Sequence, residues 1–286
     1  MGNPILKCLK DALTDEINYP YRRPKALERV MLKAAYVAGA AGMPWRKNER
    51  RLASFHNRHK GERCFLLANG PSLVKSDLAK LEGEITFGVN GLFLLQEQYP
   101  FLPTYYVVED TLVAEDRKQE IAALKGPTKF FGNYLDYCLD DAEDIIWTNV
   151  MFRYDEYPDF PNFSTHAGRC MWTGGTVMYL CLQLAYYMGF TDVYLIGFDH
   201  SYAKPADVKT EGLRWTLQSD DPNHFDPSYF GKGYRWHDPN VERMEQCYRK
   251  AAEYFAKDGR RIFNATEGGK LEVFPRVSFE SLFPAS

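Results

Sequence analysis

The stretch that most constrains the fold is residues 173–202, TGGTVMYLCLQLAYYMGFTDVYLIGFDHSY. Apolar residues at helical spacing follow its Thr-Gly-Gly start, and Gly189 supplies the left-handed conformation in which helices commonly end. The uninterrupted apolar run at residues 193–196 is typical of a strand buried on both faces. A helix that leads directly into such a strand predicts an α/β fold with a parallel sheet.

The same alternation of strand, polar turn and helix recurs along most of the chain. Buried strands are predicted at residues 64–68, 85–89, 105–108, 129–131, 145–148, 193–196 and 261–264. This repetition predicts a Rossmann-like, doubly wound, mostly parallel sheet. We therefore expect one Rossmann-like catalytic domain over residues 61–286, preceded by a basic helical extension over residues 1–60.

Residues 203–235 interrupt this alternation with prolines, glycines and scattered aromatic residues, and we call this segment the excursion. An irregular segment of this length is typical of a lid over a binding site or of a disordered segment. Beyond it, Asp238 and Pro239 are predicted to start a long helix as its N-cap and first residue. Ser72 is predicted in the same way to cap a helix that runs to Leu81.

Charge is distributed unevenly along the chain. Residues 1–60 carry 13 Lys and Arg against 5 Asp and Glu, a net charge of +8, whereas the remainder carries a net −11. A basic helical segment beside Trp45 predicts peripheral contact with an anionic membrane, although docking on the acidic body explains the pattern equally well.

The expected location is the cytoplasm, with any membrane contact at its inner face. No signal peptide is evident, and no run of about 18 apolar residues predicts a spanning helix. The six cysteines lack CxxC spacing, so we expect free thiols in a reducing compartment.

Two turns are candidate nucleotide sites, namely residues 69–72 (Asn69, Gly70, Pro71 and Ser72) and residues 173–175 (Thr173, Gly174 and Gly175). Each is predicted between a strand and a helix, where backbone N–H groups can approach a phosphate closely. Neither has the spacing of a dinucleotide fingerprint or of a Walker loop. An ordinary turn and close helix–strand packing are the respective alternatives.

Polar residues at two further positions were considered for catalysis. Glu109 and Asp110 follow a predicted strand but form no D-x-D motif, so solvation is favoured over hydroxyl or metal binding, and no metal site is predicted. His237 precedes a predicted helix, whose dipole keeps an imidazole neutral and able to accept a proton. Packing on Trp236 is its structural alternative, and His200 is the alternative base.

Four blocks in this order resemble the bacterial sialyltransferases that use CMP-sialic acid. They are NGPSL after the first strand, FGVN ending at Asn90, the Thr-Gly-Gly turn, and Gly-Phe-Asp after the central strand. The likeness runs over residues 63–283. The chain is also similar to the broader 6-hydroxymethylpterin diphosphokinase-like family, which includes flagellin-modifying glycosyltransferases and shares the tail NATEGGKLEVFPRVSFESLF.

The resemblance implies roles for individual residues. Contacts to the CMP-sugar are implied for Asn69, Gly70, Pro71, Ser72, Asn90, Thr173, Gly174 and Gly175, with Asp199 holding the site at the strand end. His237 matches the position of the general base, and Tyr202 and Tyr234 match tyrosines that assist the departing phosphate. Thr-Gly-Gly replaces the Thr-Ser-Gly of those enzymes, which removes a hydroxyl near the sugar. The donor sugar can therefore be sialic acid, Kdo or a related ulosonic acid.

The function expected from these observations is that of an inverting glycosyltransferase. It would move an acidic sugar from a CMP-activated donor to a hydroxyl of a glycan or lipid-linked acceptor, without a required metal or cofactor and without a nucleic-acid partner. One alternative is a 6-hydroxymethylpterin diphosphokinase that uses ATP and Mg²⁺. The other is a non-catalytic nucleotide-binding module of an envelope assembly.

Overall fold

The computed structural model of the protein describes residues 31, 34–35, 38, 43–151, 160–204, 208–211, 214–237 and 239–283. The strands are β1 Arg63–Leu67, β2 Thr86–Val89, β3 Tyr105–Val108, β4 Thr128–Gly132, β5 Ile145–Thr148, β6 Val150–Met151, β7 Met171–Trp172, β8 Asp192–Ile196, β9 Lys209–Glu211, β10 Arg214–Thr216, β11 Arg235–His237 and β12 Arg261–Asn264. The α-helices are α1 Lys47–Ala53, α2 Thr111–Asp116, α3 Lys118–Ala123, α4 Val177–Met188 and α5 Val241–Lys257. Short 3₁₀ helices span Pro71–Lys75, Leu78–Leu81, Asn90–Glu97, Asn133–Leu135 and Glu280–Leu282.

The central sheet has seven strands in the order β12-β8-β1-β2-β3-β4-β5. Every neighbouring pair in it is parallel. Its strands are almost continuously apolar because both faces of the sheet are covered; in β1, the four residues from Cys64 to Leu67 have no exposed surface. The predicted Rossmann-like fold is confirmed, and the predicted strands agree with the observed ones to within one or two residues at each end.

The direction of winding reverses between β1 and β8. From β1 the chain adds β2, β3, β4 and β5 on one side, and then returns through α4 to place β8 on the other side of β1. Loops leaving β1 and β8 therefore diverge, which opens a crevice at the carboxyl ends of these strands.

Helix α4 is the buried element that makes this return possible. All twelve of its residues are buried, and Gly189 ends it in the left-handed conformation with φ +90°, as the sequence predicted. The helix begins at Val177 with Thr176 as its N-cap, three residues after Thr173. Inside the helix, the fully buried Gln183 accepts hydrogen bonds from Ser164 N and Trp172 N at 3.1 and 2.9 Å. These bonds satisfy polar groups that burial would otherwise leave unpaired.

Two predicted helix starts are wrong. Ser72 caps no helix: a 3₁₀ turn starts at Pro71 after Gly70, and the Ser72 hydroxyl donates instead to Asp199. Helix α5 begins at Val241, where Asn240 Oδ1 accepts a hydrogen bond from Arg243 N at 2.9 Å. Asp238, the cap predicted for α5, lies outside the described residues.

The described part of the excursion forms a wall over the carboxyl ends of β1 and β2. Strands β9 and β10 belong to it, and β10 pairs antiparallel with β9 on one side and with β11 on the other. Phe225 N donates to Asn69 O at 2.8 Å, and Arg117 Nη2 donates to the carbonyls of Ser228 and Tyr229 at 2.5 and 3.0 Å. The excursion is thus hydrogen-bonded to the sheet and to the start of α3 at several points.

The first 60 residues are described only in part. Met31, Ala34, Ala35 and Ala38 are helical, in agreement with the helical extension predicted over residues 1–60. Helix α1 docks on the edge strand β5 through Asn48, whose side chain exchanges two hydrogen bonds with the backbone of Trp147 at 2.7 and 2.9 Å. Among the described residues, no helix is both long and apolar enough to span a bilayer.

The described cysteines are free thiols, as the absence of CxxC spacing predicted. Cys64 and Cys181 are fully buried, and burial raises the pKa of both thiols well above the usual range. Thiols in such surroundings are unreactive packing groups rather than nucleophiles.

Substituting Gly197 tests the close approach of β1 and β8. Its φ is +73°, and a Cβ there would lie 2.4 Å from Ala68 O. Gly259 has the matched φ of +69° with no atom within 4 Å of its Cβ position. We expect Gly259→Ala to lower the free energy of unfolding by about 1–2 kcal/mol through its backbone conformation, and Gly197→Ala to lower it by a further ~1–3 kcal/mol through the clash. Urea denaturation measures both, and equal losses would contradict the close approach.

Candidate active site

A cavity of about 460 Å³ opens at the carboxyl ends of the central strands. Its floor is built from residues that follow four neighbouring strands: Asn69 and Gly70 after β1, Asn90 after β2, Glu109 and Asp110 after β3, and Gly197 and Asp199 after β8. The starts of α4 and α5 and the excursion complete its sides. Both the place and the volume are those of a small-molecule site in a doubly wound sheet.

The turn after β1 is hydrogen-bonded to the turn after β8. Gly70 N donates to Gly197 O at 3.0 Å, and Ser72 donates to Asp199 Oδ2 from both its N at 3.1 Å and its Oγ at 2.6 Å. A side chain at Gly70 is excluded, because its Cβ would lie 2.0 Å from Asp199 Oδ2. Asp199 therefore links the turn after β1 to the turn after β8. A ligand that approaches Gly70 meets the backbone of this turn rather than a side chain.

Two asparagines line the cavity with unsatisfied amide oxygens. Asn69 Nδ2 donates to Val89 O at 3.1 Å and to the Tyr229 hydroxyl at 2.9 Å, which assigns the remaining Oδ1 as an acceptor. Asn69 Oδ1 and Asn90 Oδ1 are both buried without a hydrogen-bond partner in the described part of the chain. Because an unsatisfied buried acceptor costs roughly 1–3 kcal/mol, the pair indicates a ligand that supplies N–H or O–H donors.

Tyr229 connects the excursion to both of these strand ends. Its hydroxyl accepts hydrogen bonds from Asn69 Nδ2 and from Gly91 N at 3.2 Å. Its ring lies so close to Gly91 that a Cβ there would be 2.3 Å away. The excursion is thereby positioned relative to the floor of the cavity by a residue that the sequence did not single out.

Asp110 and His237 form an oriented pair at the mouth of the cavity. Asp110 Oδ1 caps α2 by accepting from Leu112 N at 2.7 Å, and Asp110 Oδ2 lies 3.2 Å from His237 Nδ1. This contact assigns the proton of the neutral ring to Nδ1. The interpretation of Asp110 as a solvated strand end is wrong, because both of its oxygens have protein partners.

The carboxyl group of Glu109 has a raised pKa. It is half-buried in the cavity, and burial, followed by the nearby charge of Asp110, raises the pKa of Glu109 to about 8. At neutral pH this carboxyl is therefore largely protonated and can donate a hydrogen bond to a ligand.

Positive potential in the cavity comes from two helix starts and one arginine. Thr176 and Asn240, the N-caps of α4 and α5, both line the cavity, so the positive ends of two helix dipoles face it. Arg243 lies in the first turn of α5 and is the only Lys or Arg among the lining residues that the structure describes. Arg243 was not predicted as a site residue; its position is unusual, because the dipole disfavours a cation in the first turn of a helix.

The structure brings seven of the predicted site residues into the cavity lining: Asn69, Gly70, Asn90, Gly175, Asp199, Tyr202 and His237. Burial, followed by the nearby charge of Asp199, raises the pKa of Tyr202 to about 12, so its hydroxyl keeps its proton at neutral pH. The alternative base His200 also lines the cavity, and its Nε2 lies 3.4 Å from Glu245 Oε1. Burial lowers the pKa of His200.

Five predicted site residues lie outside the lining, namely Pro71, Ser72, Thr173, Gly174 and Tyr234. Thr173 N donates to Met151 O at 3.1 Å, and a Cβ on Gly174 would lie 2.7 Å from the Tyr179 ring. Gly174 thus permits close packing with α4. Tyr234 stacks against Arg117, whose guanidinium carbon is 3.7 Å from the ring centroid.

Comparison with known proteins identifies one family. The model of the family described as 6-hydroxymethylpterin diphosphokinase MptE-like matches residues 44–205, which is more than half of the chain. The match spans β1 to β8 and the floor of the cavity, and it ends before most of the excursion and α5. No curated protein matches the chain. In the described part of the chain, no three His, Cys, Asp or Glu side chains are grouped so as to hold a metal ion.

The raised pKa of Glu109 predicts how stability changes with pH. The contribution of a group with a raised folded pKa is fully present below its unfolded pKa and is lost as pH rises through the folded value of about 8. We therefore expect Glu109→Gln to match the wild-type Tm near pH ~4 and to exceed it increasingly towards pH ~9. The exposed Glu267→Gln controls for the loss of one negative charge. A Tm difference independent of pH would contradict a buried titrating carboxyl.

Proposed function

The chain belongs to the 6-hydroxymethylpterin diphosphokinase MptE-like family, and from this membership and the geometry of its cavity we propose that it transfers a group from a nucleotide donor to an acceptor hydroxyl. The observation that carries the proposal is the Asp110–His237 pair in the same cavity as Arg243 and the N-termini of α4 and α5. A base and an anion site in one cavity are what such a transfer needs.

His237 acts as the general base in this proposal. Its Nε2 removes the proton of the acceptor hydroxyl, and Asp110 stabilises the positive charge that then forms on the ring. The hydroxyl oxygen attacks the transferred group as the bond to the donor phosphate breaks. Arg243 and the N-termini of α4 and α5 stabilise the charge left on the nucleoside monophosphate, and the Tyr202 hydroxyl assists them.

The donor that fits best is a CMP-activated acidic sugar such as sialic acid, Kdo or a related ulosonic acid. A single arginine and two helix dipoles match one phosphate group. The amide oxygens of Asn69 and Asn90 can accept from the amino group of cytosine or from ribose hydroxyls. A protonated Glu109 can donate to the carboxylate of the sugar.

A second candidate is transfer of a diphosphate from ATP to a hydroxymethylpterin, which the name of the matched family favours. The half-buried carboxyls of Glu109 and Asp110 would then be the groups available to Mg²⁺. Both candidates release a nucleoside monophosphate, CMP in one case and AMP in the other. The preferred nucleotide therefore distinguishes them.

Nucleotide binding is tested by thermal stabilisation. We expect CMP at a hundredfold excess over Kd to stabilise the protein by about 2.7 kcal/mol, equally with and without EDTA, because the proposed contacts are amides, helix termini and Arg243. Stabilisation by ATP with Mg²⁺ alone would replace the CMP-sugar proposal with the diphosphokinase. CMP binding without release of CMP from any CMP-sugar would indicate a non-catalytic module.

The role of His237 is tested by a pair of variants. We expect His237→Ala to lower the transfer rate by roughly 10²–10⁴-fold while leaving CMP affinity nearly unchanged. Asp110→Asn should lower the rate as well, since an asparagine still caps α2 but presents the wrong partner to His237. His200→Ala is the comparison. Loss of transfer in His200→Ala with activity retained in His237→Ala would show that the base is wrongly assigned.

A further inference from the structure

His224 lines the same cavity and is paired with the buried Asp221, and the proposed mechanism uses neither residue. His224 Nδ1 lies 2.7 Å from Asp221 Oδ2, within the excursion. The Asp221 side chain is only 1% exposed, and its carboxylate also accepts from Asn223 N at 2.8 Å and from Phe230 N at 3.1 Å. With these two backbone donors and the ring nitrogen around it, the carboxylate is a hydrogen-bond acceptor for Nδ1 of the ring.

The His224 ring is held in place by a stacked tyrosine, and the residues on either side of it are hydrogen-bonded to the rest of the protein. It stacks on Tyr229 with the ring centroids 4.0 Å apart and the planes parallel. The preceding residue, Asn223, exchanges two hydrogen bonds with the Ala203 backbone at 2.7 and 2.9 Å, and the following residue, Phe225, donates from its N to Asn69 O. These contacts fix the direction of the second ring nitrogen, as catalysis by positioning requires.

The nitrogen that remains available is Nε2. His224 lines the cavity, and its Nε2 makes no hydrogen bond to any residue that the structure describes. Because Asp221 occupies Nδ1, Nε2 is the ring nitrogen left for a ligand in the cavity.

Burial separates the two histidines along the path into the cavity. The side chain of His237 is 45% exposed, whereas that of His224 is 12% exposed. This difference in exposure places His237 nearer to solvent, on the side of an arriving acceptor, and His224 nearer to a donor bound at the strand ends that carry Asn69 and Asn90.

We propose that His224 is a second catalytic residue, whose Nε2 contacts the phosphate of the nucleotide donor and protonates the oxygen at which the donor bond breaks. This inference rests on the proposed nucleotide-dependent transfer but holds for either donor. The electron pair of the breaking bond goes to the phosphate oxygen, which takes the proton from His224 Nε2. The acceptor oxygen forms the new bond, and its proton goes to His237. One histidine thus ends protonated and the other neutral, and exchange with water restores both.

Two substitutions test the roles of the two ring nitrogens of His224 individually. His224→Asn places an amide nitrogen near the position of Nδ1, which keeps a donor for Asp221 and removes Nε2. His224→Gln places an amide near Nε2, which can still donate a hydrogen bond but cannot transfer a proton. The first measurement is the affinity for CMP compared with cytidine. We expect the preference for CMP to fall roughly tenfold or more in His224→Asn, as for the loss of a hydrogen bond to a charged group, and to stay within a few-fold of wild type in His224→Gln.

The second measurement is the release of CMP from CMP-sialic acid in water, without an acceptor. Both His224 variants should release CMP roughly 10²-fold or more slowly, as for the loss of a general acid, whereas His237→Ala should retain more of this activity than of transfer. If the wild type instead releases AMP from ATP and Mg²⁺, the CMP-sugar donor fails, and AMP against adenosine becomes the test of His224.

The inference is overturned if His224→Asn behaves as wild type in both measurements. The role of His224 would then be only structural, namely to donate a hydrogen bond to Asp221 within the excursion. Normal CMP release by His224→Gln would also overturn it. If the wild type binds neither CMP nor AMP more tightly than the corresponding nucleoside, the inference and the nucleotide assignment fail together.

Discussion

The pairing of β8 with β1 is the interaction on which the rest of the structure depends. The two strands are in parallel register over five residues, from Arg63 opposite Asp192 to Leu67 opposite Ile196. The pairing requires α4 to cross the sheet, and the complete burial of that helix stabilises the crossing. It also brings residues 69–72 beside residues 197–199, so that Asp199 can hold the first turn. Without this reversal of winding the sheet would have no crevice at its centre.

Several residues at this crevice combine a structural with a chemical role. Asp110 ends β3, caps α2 and orients His237, so the position of the proposed base is coupled to the start of a helix. Asn69 holds the excursion through Tyr229 while presenting an unsatisfied oxygen to a ligand. Groups fixed in this way lose little freedom when a ligand binds, which favours catalysis by positioning.

Much of the fold and part of the site could be predicted from the sequence. The strands were predicted because buried parallel strands are nearly continuous apolar runs, and the end of α4 because Gly189 adopts a conformation that other residues avoid. The resemblance to the pterin diphosphokinase-like family is confirmed by the match over residues 44–205, whereas the likeness to sialyltransferases stays a prediction. The helix starts were predicted less well. Ser72 bonds to the distant Asp199 instead of capping a helix, and Asn240 rather than the predicted Asp238 is the N-cap of α5.

By itself, the sequence determined the order of strands and helices, the glycine turns beside the sheet, and the presence of His237 before the last long helix. These features follow from hydrophobic periodicity and backbone preferences, which are properties of neighbouring residues. Only the tertiary structure decided that Asp110 meets His237 across 127 positions of sequence, that Glu109 is buried enough to change its pKa, and that Arg243 rather than Tyr234 reaches the cavity. Even the short-range pair of Asp221 and His224 became part of a site only when the excursion folded onto β1 and β2. Charge, burial and hydrogen bonding at a site depend on which elements pack together, and this packing is set by the whole sheet.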